Sequence, residues 1–99
     1  MNKTMRDILN DFFSGACEGI SGSKSNPGNL KICGDQVIHF NTPILERYNN
    51  KYLLNMTRYS IQTGRLQKLI MEILNEEQYD IVLKVPMDSK ESLNKYIKE

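Results

Sequence analysis

The chain has 99 residues, with 13 Lys and Arg against 12 Asp and Glu, so its formal net charge is +1. This balance excludes a uniformly basic nucleic-acid-binding protein and a strongly acidic DNA mimic, because neither sign dominates the long-range field. Hydrophobic residues make up 39% and charged residues 25% of the chain, which is enough apolar material for one modest core. We therefore expect a single domain over residues 1–99.

The two cysteines, Cys17 and Cys33, are too few for a secreted domain held together by disulfides. We expect both to be reduced thiols, and their spacing, without histidine partners, predicts no metal site. Residues 1–7 lack the apolar core of a signal peptide, and the longest apolar runs, such as residues 81–83, have three residues. These features predict a cytoplasmic protein, in its own cell or in a host's, with no membrane contact.

The N-terminal third predicts a helix followed by a flexible loop. Thr4 and Asp7 form a capping-box pattern with Asp in place of Glu, and apolar residues then recur at helical spacing (Met5, Ile8, Leu9 and Phe12). Residues 14–29 hold four of the six glycines together with four serines. This composition favours a mobile connector, and a segment that orders on a partner is the alternative.

Two β-hairpins are predicted in the middle of the chain. The first joins residues 30–33 to 37–40 through a three-residue loop, which places Ile32 opposite Ile38, Leu30 opposite Phe40, and Lys31 opposite His39. The second joins residues 44–48 to 52–56 through Asn49 and Asn50, so that Arg47 faces Tyr52 and Leu45 faces Leu54. Together the four strands predict an antiparallel meander.

The strongest helix signal covers residues 66–74, where apolar residues follow one helical stripe (Leu66, Leu69, Ile70, Ile73 and Leu74). Ser60 or Thr63 is the expected N-cap. Residues 79–85 alternate as a fifth strand that ends at Pro86. Asp88 and Glu91 form a capping-box pattern before a short helix that carries Leu93, Tyr96 and Ile97.

These elements define an α+β fold in the order α-β-β-β-β-α-β-α. A meander of four to five strands packs against one amphipathic helix, with short helices at both ends.

The sequence predicts no enzyme. His39 is the single histidine, and strand alternation places it opposite Lys31 on the less apolar face. The carboxylates are scattered singly, so no acid–base pair is evident. The glycines of residues 15–22 are not followed by the Gly-Lys-Ser/Thr sequence of a phosphate-binding loop. We expect no catalytic residue, no cofactor and no metal.

The segment from Asn55 to Lys68, which we call the strand-to-helix corner, is the candidate binding site. A helix N-terminus offers free N–H groups and a partial positive charge, and nearby cations strengthen such an anion site. Residues 30–70 hold six Lys or Arg against two acids, whereas residues 71–99 hold four against seven. The predicted binding residues are Arg47, Arg58, Tyr59, Ser60, Thr63, Arg65 and Lys68. The alternative is that Ser60 and Thr63 only cap the helix.

Residues 28–70 resemble a family of small bacteriophage and mobile-element proteins. The resemblance rests on residues 28–32, Gly34-Asp35, residues 44–47, Thr63, Gln67 and, above all, the run Leu54-Asn55-Met56-Thr57-Arg58-Tyr59-Ser60. Relatives have a similar leucine–asparagine–x–threonine–Lys/Arg–tyrosine–serine run before the helix. At position 56, where relatives often have a second threonine, this chain has Met56.

The resemblance implies a phage-type interaction protein and favours an inhibitor of a host defence complex, in the manner of anti-CRISPR proteins. The expected partner is then a nucleoprotein such as a CRISPR effector, contacted through the 14–29 loop and an exposed sheet face. The alternative is a nucleic-acid- or nucleotide-binding accessory protein that uses the basic corner, with a salt-dependent affinity. The oligomeric state is not predicted.

Overall fold

The computed structural model describes residues 3–23, 25 and 27–97, and positions 24 and 26 of the predicted loop lie outside the described residues. The helices and strands are α1 (Met5–Phe13), β1 (Glu18–Gly22), β2 (Pro27–Cys33), β3 (Gln36–His39), β4 (Thr42–Tyr48), β5 (Lys51–Asn55), α2 (Ile61–Ile73) and β6 (Tyr79–Val82). Two 3-10 helices, Glu76–Gln78 and Leu93–Tyr96, complete the architecture. The predicted α+β class is confirmed.

Helix α1 begins with the predicted capping box. The Thr4 side chain accepts a hydrogen bond from the Asp7 backbone N–H, and the Asp7 carboxylate accepts one from the Thr4 N–H. The hydrogen bond from the Thr4 backbone N–H to the Asp7 carboxylate, with a smaller contribution from the Thr4 side chain, holds the pKa of Asp7 below its usual value. Ile8, Leu9 and Phe12 are buried, so the apolar stripe attaches α1 to the core.

The segment predicted as a loop contains an edge strand, so that part of the prediction was wrong. Strand β1 pairs antiparallel with β2, with Glu18 opposite Cys33 and Ile20 opposite Lys31. Backbone hydrogen bonds and the buried Ser21 hydroxyl, which accepts from the Leu30 N–H at 3.3 Å, hold this strand, since its apolar residue Ile20 is exposed. Gly28 is favoured beside it, because a Cβ there would overlap the Ser21 hydroxyl and lie 3.2 Å from the Ser21 backbone carbonyl carbon.

The register predicted for the β2–β3 hairpin was also wrong. A two-residue Gly34-Asp35 turn joins the strands, so Ile32 faces Val37 and Leu30 faces His39. His39 is therefore on the buried face, and Ile38 lies opposite Lys31. The prediction failed because it assigned the histidine to the polar face, and one residue of slip exchanges the two faces.

The β4–β5 hairpin has the predicted register, with Arg47 opposite Tyr52 and Leu45 opposite Leu54. Asn49 and Asn50 form its turn with φ of 49° and 65°, a conformation that asparagine tolerates.

The sheet has six strands in the order β1-β2-β3-β4-β5-β6, and its last strand departs from a pure meander. Strand β6 is parallel to β5, with Tyr52 opposite Tyr79, because α2 carries the chain across the sheet before β6 begins. The observed order is thus five strands between the two helices and one strand after them. Helix α2 begins at the predicted N-cap Ser60 and packs on the same face as α1.

The tail differs from its prediction in two respects. Strand β6 ends at Val82 rather than continuing to Val85, and Lys84 has a φ of 61°. The predicted Asp88 cap is absent from the described tail: a 3-10 helix replaces the C-terminal helix, and its N-cap is Ser92. Leu93 packs with Leu53 and Val82, so this segment covers the face of the sheet opposite to α1 and α2.

Candidate functional site

The strand-to-helix corner connects the end of β5 to the start of α2. Ser60 adopts an extended conformation, and its hydroxyl accepts a hydrogen bond from the Thr63 backbone N–H at 3.2 Å. This bond satisfies one of the free N–H groups at the helix end. Among the described residues, no acceptor faces the N–H groups of Ile61 and Gln62, so this end of α2 remains a weakly positive donor surface.

The polar side chains of the run from Leu54 to Ser60 brace the corner internally. Asn55 donates to the Pro43 carbonyl at 2.9 Å and to the Tyr59 hydroxyl at 2.9 Å. The Tyr59 hydroxyl in turn donates to the Val85 carbonyl at 2.6 Å, and the Thr57 hydroxyl accepts from the Val85 N–H at 3.0 Å. This run therefore attaches the chain after β6 to the corner, which is a structural role for its hydroxyl and amide groups.

Two of the predicted cations lie together. Arg58 and Lys68 line one cavity of about 450 Å³, whose wall also includes Tyr59, Ser60 and Ile61. Arg65 is exposed on α2 and does not line this cavity. Within the described part of the chain, none of the three cations forms an ion pair.

Arg47 does not belong to this group. It lies at the opposite end of β5 from the corner, beside Tyr52. Its guanidinium donates to the carbonyls of Phe12 at 2.6 Å and Ala16 at 2.7 Å, and it lies 4.0 Å from the centre of the Phe12 ring. Its charge is engaged inside the fold, so the sequence prediction placed it wrongly with the binding residues.

A second cavity, of about 500 Å³, lies on the other side of the α2 N-terminus. Its lining residues are His39, Phe40, Thr42, Tyr59, Ser60, Ile61, Gln62, Thr63 and Met87. Three of these are large apolar residues with unusually high exposure, namely Phe40 at 41%, Ile61 at 80% and Met87 at 67%. The two cavities are neighbours, because both are lined by Tyr59, Ser60 and Ile61.

The deepest polar residues of this second cavity form a hydrogen-bonded chain. The Ser60 hydroxyl donates to Thr63 Oγ1 at 3.2 Å, and Thr63 Oγ1 lies 3.0 Å from His39 Nδ1. While its oxygen accepts from Ser60, the Thr63 hydroxyl can donate its own proton to Nδ1, and in that tautomer the neutral imidazole has its proton on Nε2. Burial lowers the pKa of His39 from its ordinary 6.5, which favours this neutral form.

Sequence reasoning found the corner but missed the second cavity. His39 was assigned to the less apolar face, Phe40 was assigned to the strand over residues 37–40, and Phe40 and Met87 are distant from the corner along the chain. A signal was present at Met87, a large apolar residue between Pro86 and Asp88, where polar turn residues are usual. Met87 is held there partly by the Asp88 N–H, which donates to the Thr42 hydroxyl at 2.9 Å.

Among the residues that the structure describes, no three His, Cys, Asp or Glu side chains are grouped as metal ligands require. Cys17 and Cys33 are exposed free thiols. None of the helices in the described ranges combines the length and apolar character needed to cross a membrane.

Comparison with protein-family models, curated proteins and solved structures found no match to this chain.

Proposed function

We propose that the protein acts by binding a macromolecular partner through a surface formed by Phe40, Arg58, Ile61, Lys68 and Met87, which we call the docking surface. The observation that carries the proposal is the exposure of three large apolar side chains, from three separate segments, around one cavity. Apolar side chains that ring a concave site are typical of interaction surfaces. The adjoining Arg58 and Lys68 add positive charge on one side.

The conformation of Phe40 supports this proposal. Phe40 and Asn41 form the β3–β4 turn with φ of 50° and 66°, nearly the same values as the Asn49-Asn50 turn. Asparagine tolerates this left-handed region, whereas a bulky residue is disfavoured there by about 1–2 kcal/mol. The Phe40 ring packs against the His39 ring with the centroids 4.3 Å apart, yet Phe40 is 41% exposed, and a partner that covers the exposed part would account for an aromatic residue in this strained position.

The partner that we propose is a host defence nucleoprotein such as a CRISPR effector, in keeping with the resemblance to phage and mobile-element proteins. A nucleoprotein offers apolar protein surface and negative phosphate side by side. The docking surface has the complementary arrangement, with an apolar rim next to two cations that form no ion pair within the described part of the chain. Binding that blocks such a complex requires no chemistry from the inhibitor itself.

This proposal is tested by measuring phage plaquing on bacteria that carry an active CRISPR effector complex and express the chain. The wild-type chain should restore plaquing, and Phe40→Asn and Ile61→Asp should abolish that effect. Both variants should fold, because asparagine suits the turn and an acid suits the first turn of α2. The purified variants should bind the effector more weakly by about 30-fold, as expected for a central contact worth about 2 kcal/mol.

The matched control is Met71→Gln, which changes an exposed apolar residue of α2 outside the docking surface. It should behave as the wild-type chain in both assays. A wild-type chain that leaves plaquing unchanged and does not bind the effector contradicts the defence-inhibitor proposal. An equal reduction of binding in all three variants contradicts the assignment of the surface.

The second candidate function is nucleic-acid binding, favoured by the absence of ion pairs at Arg58, Arg65 and Lys68 among the described residues. Such binding would weaken steeply with salt, and removing one phosphate-binding cation would lower the slope by about 0.9 for duplex DNA. Replacing Arg58 and Lys68 together by Ala should then reduce the slope, whereas Arg6→Ala, on α1, should leave it unchanged. No binding of DNA or RNA at low salt excludes this candidate.

A further inference from the structure

The cavity lined by His39 has a set of polar groups that the docking of a partner does not use. His39 is 3% exposed and Thr42 is 3% exposed, so both lie deep in the site. Within the described residues, no buried side-chain nitrogen or oxygen lacks a hydrogen-bond partner. Nδ1 is the ring nitrogen that contacts Thr63. Nε2 has no hydrogen-bond partner among the described residues, so we infer that it is open to the cavity that His39 lines.

The groups that face this space are predominantly donors. With Thr63 as the donor to Nδ1, the hydrogen-bonded chain from Ser60 is compatible with an imidazole proton on Nε2, which is the tautomer that this site requires. The Thr42 hydroxyl already accepts from the Asp88 N–H, which leaves its own proton to donate. The N–H groups of Ile61 and Gln62 add two more donors at the positive end of a 13-residue helix.

Charge and volume narrow the ligand class further. No Asp or Glu of the described residues lines the cavity, and Arg58 and Lys68 lie in the cavity beside it. An anionic acceptor is therefore matched by donors and is not repelled by any of these lining groups. The rest of the wall is apolar, with Phe40, Tyr59, Ile61 and Met87, and a volume of about 500 Å³ is within the usual range for small-molecule sites.

We propose that this cavity binds a small carboxylic acid with an apolar body, such as an aryl or branched alkanoate. The carboxylate accepts hydrogen bonds from His39 Nε2–H, the Thr42 hydroxyl and the α2 N-terminus, and the apolar body packs under Phe40 and Met87. This site does not depend on the proposed partner, although both use Phe40, Ile61 and Met87, so a bound acid would compete with docking.

The test is a titration of the full ¹⁵N-labelled chain with 3-phenylpropionate at neutral pH, followed by NMR. We expect saturable shifts of the Ile61 and Gln62 amides and of the His39 ring, with a dissociation constant on the order of 1 mM for a ligand of this size. The neutral isostere 3-phenylpropanamide should bind about tenfold more weakly, because it lacks the charge-assisted hydrogen bonds. The same spectra report whether the proton of the free His39 is on Nε2.

The matched variants are Gln62→Glu and Met71→Glu. Both add one carboxylate to α2, the first at the cavity and the second outside it, and Gln62→Glu is compatible with the first turn of a helix. We expect Gln62→Glu to weaken 3-phenylpropionate binding by about tenfold and Met71→Glu to leave it unchanged.

Three results would overturn the inference: no binding, equal binding of the acid and the amide, or a His39 proton on Nδ1. Each is measured without a partner, so it is independent of the plaquing assay and of the proposed function.

Discussion

Arg47 connects the end of α1 to the turn between β2 and β3 through a single guanidinium group. It donates to carbonyls of Phe12, Ala16 and Gly34, and its ion pair with Asp35 is secondary, since that carboxylate is exposed. Arg47→Ala removes the guanidinium donor from all three carbonyls and its contact with the Phe12 ring, so we expect a loss of about 3 kcal/mol in the free energy of unfolding. Urea unfolding measures the loss, and the exposed Arg65→Ala should change stability by less than about 0.5 kcal/mol. Equal effects would show that Arg47 is not a structural tie.

His39 gives the stability of the protein a predictable pH dependence. Burial lowers its folded-state pKa below the ordinary 6.5, so between those two values the unfolded chain binds more protons than the folded one. The contribution of His39 to the free energy of unfolding should therefore be at its maximum above about pH 6.5. It should decrease as the pH falls toward the folded-state pKa.

This chain has one histidine, so the effect can be assigned by substitution. Urea unfolding of the wild-type chain should show lower stability at about pH 5.5 than at about pH 7.5. His39→Gln, which can still hydrogen-bond to Thr63, should have a smaller difference between the two pH values. The same difference in both proteins would place its origin in the carboxylates.

At the scale of elements, predictions succeeded where the determining signal is local. The α1 capping box, the Ser60 cap and the Asn49-Asn50 turn are each encoded within a few residues, and the structure confirms all three. The β2–β3 register failed because its decisive contact is not local: His39 is buried against Thr63, 24 positions away. Strand β1 failed for a related reason, since an edge strand held by its backbone leaves little hydrophobic alternation to read.

For the candidate site too, the prediction succeeded for residues that are close in sequence and failed for those that are distant. Ser60, Thr63, Arg58 and Lys68 are close in sequence, and the structure brings them around one helix end. Arg47 was grouped with them on charge alone, which does not distinguish a free cation from one engaged by backbone carbonyls. Phe40 and Met87 reach the site through the β3–β4 turn and the segment after β6. Their position depends on the sheet topology, which composition and periodicity do not determine.

At the scale of the whole molecule, the sheet separates two apolar layers of unequal size. The larger layer contains α1, α2 and residues such as Leu54, and the smaller one contains Leu53, Val82, Val85 and Leu93. Leu53 and Leu54 are consecutive in β5 and point to opposite faces, so the same strand supports both layers. Buried Glu46 of β4 attaches the tail to the sheet. Its carboxylate accepts hydrogen bonds from the Leu93 N–H at 3.0 Å and from the Ser92 hydroxyl at 2.6 Å.

Because β5 supports both layers, we expect the two layers to unfold together. Leu93 is fully buried, and Leu93→Ala should lower the free energy of unfolding by about 2–4 kcal/mol, because it removes buried apolar surface and leaves a cavity. Native-state hydrogen exchange should show that decrease at the most protected amides of α2 as well as at β5. The control is Leu83→Ala, which shortens an exposed leucine next to the same layer and should have little effect. Reduced protection confined to the tail after β6 would mean that the smaller layer detaches alone, as an independent lid on a sheet that is stable without it.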